Sequence, residues 1–477
     1  MNERTAAWRL PLASRAHALD RLDEALRRIG DWLMEHQRAI RALQWLVVCL
    51  YAMLVIVPAL LPLPGRTAHI WSNLTLFAQF AFWGVWWPFV LASMMLVGRV
   101  WCGLMCPEGT LTEFASRHGR GKPIPRWVTW SGWPFVAFCL LTIYGQMVSV
   151  YQYPGAALVV LGGSTLAAIG IGYLYGRNKR VWCRFLCPVS GVFGLLSKLA
   201  PLHFRTDRQA WSTFRHSGDK SARRGVDCAP LVPLAGMRGA SACHMCGRCS
   251  GFRNAITLAR RSPNEAIVNP SEPPNAVETL LIVFGLLGVA LGAFHWLSSP
   301  WFIAVKQTLA EWLVDAGVMW PLERSAPWWV LTNYPDQNDV LTLLDGAVLV
   351  GYILATALTL GGAISALLAL ATRISGPWSW PRYHHLAQTL IPIAACGVFL
   401  GLSALTVTML RTEGVSLAWV DAARLILLLA SALWSVWLAW RVAGLSAGGL
   451  QRGLVTSCVA GAAMLVVGGW ALLFWIW

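Results

Sequence analysis

Eight of the twelve cysteines in this 477-residue chain stand at spacings that suit iron–sulfur chemistry. They are Cys102-x3-Cys106 followed by Pro107, Cys183-x3-Cys187 followed by Pro188, the run Cys243-x2-Cys246-x2-Cys249, and Cys228 just upstream. A [4Fe–4S] cluster is held by four thiolates, so eight cysteines suffice for two clusters. Four thiolates also suit a tetrahedral structural zinc site, and that alternative stays open at this point.

Two of the motifs are copies. Arg99-Val100-Trp101-Cys102 through Cys106-Pro107 returns as Arg180-Val181-Trp182-Cys183 through Cys187-Pro188, offset by 81 residues. A lone Cys-x3-Cys is weak evidence, because two cysteines one turn apart occur in ordinary helices. A nine-residue repeat is much stronger. It suggests a pseudo-twofold arrangement in which both pairs face each other and share one cluster near the membrane surface. The proline after each second cysteine halts the local turn and leaves the thiolate beside free backbone N–H groups, which tune cluster potential.

The run Cys243-His244-Met245-Cys246-Gly247-Arg248-Cys249 matches the first three ligands of the bacterial ferredoxin pattern C-x2-C-x2-C-x3-C-P. The fourth cysteine is missing, since 250–254 read Ser-Gly-Phe-Arg-Asn. Cys228 is the remaining cysteine of that segment, so Cys228, Cys243, Cys246 and Cys249 are assigned to a second cluster. A rival partition, in which Cys106 or Cys187 completes this group, is compatible with the same spacings. His203 and His244 read as solvated loop histidines, with ligation as the alternative. Arg248, Arg253, Arg260 and Arg261 suggest a basic face that docks an acidic electron donor such as a flavodoxin or ferredoxin; retention of positive charge on one side of the membrane explains them equally well.

The elements that must position these residues are membrane helices. Apolar residues make up 56% of the chain and charged residues 13%, where a soluble domain carries about 25% charge. A spanning helix takes about 20 mainly apolar residues. Nine stretches qualify, roughly 42–63, 75–98, 128–150, 156–175, 277–298, 341–370, 387–410, 418–440 and 453–475. The expected fold is therefore an all-α polytopic membrane protein of about nine transmembrane helices with a small ferredoxin-like segment.

Its division is 1–41, a cytoplasmic amphipathic N-terminal segment; 42–175, a four-helix membrane unit; 176–275, a cytoplasmic iron–sulfur segment; and 276–477, a five-helix unit with an outer loop 299–340. Residues 1–41 carry eight Lys/Arg, 99–126 five and 176–275 sixteen, whereas the intervening loops carry only Arg66, Lys306, Arg324 and Arg411. This alternation puts the N-terminus and all cysteine motifs in the cytoplasm and the C-terminus outside, in a bacterial inner membrane. It also explains the net charge of +16 without nucleic acid. No cleavable signal peptide is expected, since 1–41 lacks an apolar core. Leu19, Leu22, Leu26, Ile29 and Leu33 recur at helical spacing, which fits a helix lying on the lipid surface or a soluble one.

A reducing cytoplasm disfavours disulfides. Cys49, Cys139, Cys396 and Cys458 are isolated in apolar helices and read as packing residues. His295, Asp345, Asp421 and Arg424 lie near the outer interface, with Asp421 and Arg424 spaced to pair. His384 and His385 open the seventh helix. A quinone, haem or metal-relay role for these positions is the lesser alternative to surface or structural ones.

Paired Trp-Cys-x3-Cys-Pro motifs at helix ends, followed by a ferredoxin-like run, resemble the NapH/NosR/CcoG group of membrane-bound polyferredoxins. The resemblance covers about 75–275. It implies [4Fe–4S] clusters and an electron-transfer role with membrane or periplasmic redox partners. No flavinylation sequence of the kind NosR-like members carry is present. The layout of 277–477 is similar to the FtrD-like branch that accompanies iron uptake.

The expected role is electron transfer between a cytoplasmic donor and a membrane or periplasmic partner. An iron–sulfur sensor or assembly factor is the alternative. Clusters confined to one side of a hydrocarbon core about 30 Å thick need a further relay to reach the other, whether quinone, haem, flavin or a partner subunit.

Overall fold

The computed structural model describes residues 12–65, 67–216, 226, 228–237, 239 and 241–477. The first eleven residues of the N-terminal segment and 217–225 lie outside the described residues. Among the described residues, eight helices are long and apolar enough to cross a membrane: Gln37–Leu60, Leu74–Val97, Pro154–Tyr175, Ala276–His295, Leu343–Ile374, Ile391–Thr412, Trp419–Ala443 and Gly449–Ile476. The chain is an all-α multi-pass membrane protein.

The stretch predicted as a third span, 128–150, is shorter than expected. Its helix is Trp133–Met147, 15 residues, about 22 Å at 1.5 Å per residue. Pro134 fits its first turn, and Ser149, at φ 49°, turns the chain sharply just beyond its end.

Two further elements re-enter the bundle without crossing it. After Val97 the chain turns at Gly98, where φ is 74°, runs through the short helix Val100–Leu104, and comes back as Pro107–Arg117. This half-helix lies along Pro154–Tyr175. Glu108 is bonded to Ser164 (2.7 Å), Thr112 lies against Gly172, and Ser116 against Gly176. A Cβ on Gly172 would meet the Thr112 carbonyl at 2.5 Å, so the close approach requires glycine there. The second copy does the same with Val181–Phe185 and the apolar helix Ser190–Leu199, whose Gly191 lies against Pro134 and Leu281. Irregular backbone at membrane depth is tolerated where protein surrounds it.

The ferredoxin-like segment is held by a small antiparallel sheet, Leu202–Thr206 with Ile256–Arg260. Phe204, Ile256 and Leu258 point into a core that also takes Leu26 and Met245. The N-terminal helix Leu12–Glu35 is amphipathic as expected, but its buried face is occupied by this segment. Gly30 sits against Leu258 and Phe204, Asp23 pairs with Arg260 (2.9 Å), and Asp31 accepts from Ser250 (2.9 Å). Leu22, Ile29 and Trp32 stay exposed on its far side.

Of the polar residues singled out in the C-terminal unit, His295 packs between Trp470 and Trp477 with its Nε2 buried and unpartnered, and the others have structural partners. Asp345 forms a capping box with Thr342 and pairs with Lys306. Arg424 pairs with Asp421 (3.3 Å). His384 bonds Thr279 (2.9 Å) and His385 the Ile267 carbonyl (2.7 Å). Cys139, Cys396 and Cys458 sit in apolar packing.

Candidate metal centres

The repeat is as regular in space as in sequence. The Cys106 N–H donates to the Trp101 carbonyl at 2.9 Å, and the Cys187 N–H to the Trp182 carbonyl at 2.9 Å. The first-turn bonds, Gly103 to Arg99 and Arg184 to Arg180, are both 3.2 Å. Each repeat arginine then reaches across to the other copy. Arg180 Nη1 donates to the Cys102 carbonyl (2.6 Å), and Arg99 Nη2 to the Ser190 hydroxyl (3.0 Å). Ser190 Oγ in turn donates to the Cys183 carbonyl (2.8 Å). These crossed bonds are the pseudo-twofold relation expected from the motif.

The consequence is one cavity of about 100 Å³ whose wall includes Cys102, Cys106, Cys183 and Cys187. Cys106 interacts electrostatically with Cys183 and Cys102, and Cys187 with Cys183 and Cys106. The prolines act as predicted: Cys106 caps Pro107–Arg117 and its Sγ accepts from the Gly109 N–H (3.4 Å), while the Val189 N–H serves Cys187.

The depth of this cavity departs from expectation. Its wall also holds Tyr51, Phe82, Trp86 and Ser164. Ser164 is the eleventh of the 22 residues of Pro154–Tyr175, and Trp86 the thirteenth of the 24 of Leu74–Val97. The cavity therefore runs from Arg99 and His244, beyond the ends of the spans, up to their middle. The re-entrant elements carry the four cysteines into it. Two of the surrounding spans are π-helical where they meet the cavity, at Phe80–Trp86 and Leu158–Gly162, a distortion common at functional sites.

The second group is built from loop. Cys243 and Cys249 are buried; Cys243 interacts with Cys246 and Cys228, and Cys249 with Cys243, Cys246 and Cys228. The Met245 N–H donates to Cys243 Sγ (3.4 Å). Burial pushes the Cys243 thiol up to about 12, so ligand formation there must expel a proton. Cys102, Cys106, Cys183 and Cys187 thus border one cavity, and Cys243 and Cys249 have Cys228 and Cys246 as their neighbours.

The donor sets fit clusters better than single ions. Thiolates on one zinc lie about 4 Å apart, given Zn–S bonds near 2.3 Å. Among the described residues, no three Cys, His, Asp or Glu side chains are gathered to hold one metal ion. A [4Fe–4S] core spreads its thiolates over four irons. The buried charges agree: Arg99 is 5% and Arg180 2% exposed, and Arg99 Nε and Arg180 Nη2 are buried with no partner. Buried cations lacking full compensation are costly, and an anionic thiolate-bound cluster supplies the missing charge.

The two groups touch. Glu113 accepts from Arg180 of the first site (2.8 Å) and from Arg248 of the second run (2.8 Å). Gly103 lies directly on the backbone of His244 to Cys246; a Cβ there would collide with the His244 carbonyl and come 2.9 Å from the Cys246 nitrogen. Gln44 donates to the Gly103 carbonyl (2.8 Å) and Gln37 to that of Cys246 (3.2 Å).

Several readings need correction. His203 is on a strand and 7% exposed, and His244 is 2% exposed; neither is a solvated loop residue. The four arginines each have a partner within the chain. Arg248 is held by Glu113, Arg260 by Asp23, Arg261 donates to the carbonyls of Ala200 and Ser197, and Arg253 stacks on Trp211. Glu108, Glu113 and Gly103 were missed. The signal was there: 100–116 contains no Lys or Arg, which is unusual for a cytoplasmic loop.

Comparison with known proteins agrees with this geometry. Residues 79–125 and 159–206 each match the model of a 4Fe-4S binding domain, once per repeat. The chain is 25% identical over 239 residues to "Putative electron transport protein YccM" of Escherichia coli (strain K12), covering 44% of this chain and 65% of that protein. It is 26% identical over 131 residues to the regulatory protein NosR of Pseudomonas aeruginosa, covering 24% of this chain and 18% of NosR. The chain thus spans less than two thirds of either relative. No solved structure matches it. The resemblance to polyferredoxins of the NapH/NosR type holds, and the chain is a multi-pass membrane protein with two matches to a 4Fe-4S binding domain, one on each repeat.

Proposed function

We propose that this protein carries electrons across a bacterial inner membrane through two [4Fe–4S] clusters, one held by Cys228, Cys243, Cys246 and Cys249 and one by Cys102, Cys106, Cys183 and Cys187. Each cluster, when bound, supplies reversible one-electron transfer. The Lys/Arg distribution puts the second group on the cytoplasmic side, where a flavodoxin- or ferredoxin-like donor reaches it, and Trp477 outside.

The observation that supports this reading is the four-cysteine cavity, which extends from the ends of the spans beside the ferredoxin-like segment to their middle, part of the way across a core about 30 Å thick. A second cavity, of about 140 Å³, continues from it and shares Trp87, Leu161 and Phe193 with its wall. Its lining reaches Gln146 and Tyr151, at the end of Trp133–Met147 opposite the ferredoxin-like segment. No His, Cys or Met lines it, so a quinone-like acceptor suits it better than a haem. The indole N–H of Trp87, buried without a partner, is available to a carbonyl oxygen. A sensor or assembly role calls for an exposed, labile centre, and the burial of Cys102, Cys183, Cys243 and Cys249 favours carriage.

Anaerobically purified protein is expected to hold about eight irons per chain and to show two reducible centres by electron paramagnetic resonance. Stoichiometric zinc without iron, or a single centre, overturns the reading. A C-terminal alkaline phosphatase fusion should be active and one within 205–225 inactive; the reverse overturns the orientation.

A further inference from the structure

His244 belongs by sequence to the second cysteine group, between Cys243 and Met245. It lines the cavity of Cys102, Cys106, Cys183 and Cys187. It is 2% exposed, and its Nδ1 is buried with no hydrogen-bond partner. A buried polar atom without a partner costs about 1–3 kcal/mol, so such a residue is expected to have something to bond.

The backbone explains how it gets there. Met245 is left-handed, at φ 54°, and Gly247 follows at φ 73°, so the run bends sharply after His244. The His244 carbonyl and Cys246 then rest on Gly103, next to Cys102. Where the first copy has Gly103 the second has Arg184, so only one side of the pseudo-twofold cavity admits this approach. An imidazole keeps at least one N–H to donate in either protonation state.

We propose that His244 serves the first centre rather than its own: its imidazole is the hydrogen-bond donor that the second group inserts into the four-cysteine cavity, so that the potential of the first centre depends on the seating of the ferredoxin-like segment. This rests on the two-cluster reading above. Hydrogen bonds to cluster and thiolate sulfur are a recognised lever on reduction potential, since they stabilise the more negative, reduced state. His244 is a positioning residue in this account, not a ligand.

The test is a redox titration of the full-length, iron-loaded protein, followed by electron paramagnetic resonance, on wild type, His244→Phe and His244→Asn. The Cys183→Ala variant identifies the first centre's signal. His244→Phe is expected to lower the midpoint of the first centre while leaving the second centre and the iron content unchanged. His244→Asn, which keeps an N–H donor close to the Nδ1 position, should recover most of the shift. The proposal is overturned if the first centre's midpoint does not move in the Phe variant, if only the second centre moves, or if both variants lose the first centre's iron, which would make His244 a ligand. Absence of two centres in the wild type would instead defeat the two-cluster reading, so the two failures are distinguishable.

Discussion

The two cysteine groups differ in what holds them. The first is set by helices: two short re-entrant pieces, related by the repeat, repeat their backbone bonds at matching lengths and cross-link through Arg99 and Arg180. The second is set by loop backbone, pinned from outside by the N-terminal helix, by Gln37, and by the contact with Gly103. A site made of helices inherits the rigidity of the bundle. A site made of loop has only the stability of its local contacts, so the second group should be the one that yields first.

The largest effect that sharpens this contrast should come from Glu113, the carboxylate both groups share. Glu113→Gln leaves buried Arg180 without its charge partner, a change that typically costs about 3–5 kcal/mol. Membrane accumulation and thermal stability should fall sharply, and both centres should suffer together. An unchanged melting temperature would show that the two groups are not tied through this residue.

A smaller effect confined to the loop-built side should come from His203. Burial, then Arg261 and Arg205, push its pKa down to about 4 from an ordinary value of 6.5. Between those values the unfolded segment binds more protons than the folded one, so stability falls as pH drops through that window. The shift corresponds to at most about 3 kcal/mol. Proteolytic nicking of 200–275 should quicken from pH 6.5 towards pH 4.5, and His203→Gln should flatten that dependence. Equal acid sensitivity of the spans would break the comparison.

The smallest effect probes the seam. Gly103→Ala places a methyl group against the His244 carbonyl, an overpacking that costs about 1–3 kcal/mol. The segment should nick up to about tenfold faster per 1.4 kcal/mol, with the first centre's iron retained. Arg184→Ala, at the matching position of the other copy, should have little effect. Equal effects at both positions would mean that the asymmetry of the repeat has no structural role.

Much of this was legible in the residues. The apolar stretches anticipated eight spans and a ninth, 128–150, that is only a 15-residue helix, while the repeat and the proline stops anticipated the common cavity of the two Cys-x3-Cys motifs and the backbone donors at Cys106. Depth was not, because a re-entrant piece is too short for a hydropathy window. Val100–Leu104 and Pro107–Arg117 together merge into a loop that ends in Arg117, Arg120 and Lys122 and so reads as cytoplasmic. The crossing of His244 into the other group's cavity was also hidden, since it depends on two left-handed residues and one glycine far away in sequence. The N-terminal helix was predicted as amphipathic, but periodicity states only that a face is apolar, not whether lipid or protein covers it.

The central claim is that Cys102, Cys106, Cys183 and Cys187 share one centre, distinct from that of the ferredoxin-like run. Electron paramagnetic resonance of the reduced Cys102→Ala and Cys183→Ala proteins tests it most directly. The account predicts that either substitution, 81 residues apart, removes the same signal and leaves the other intact. Loss of two different signals would contradict it, and would mean that each repeat serves its own centre.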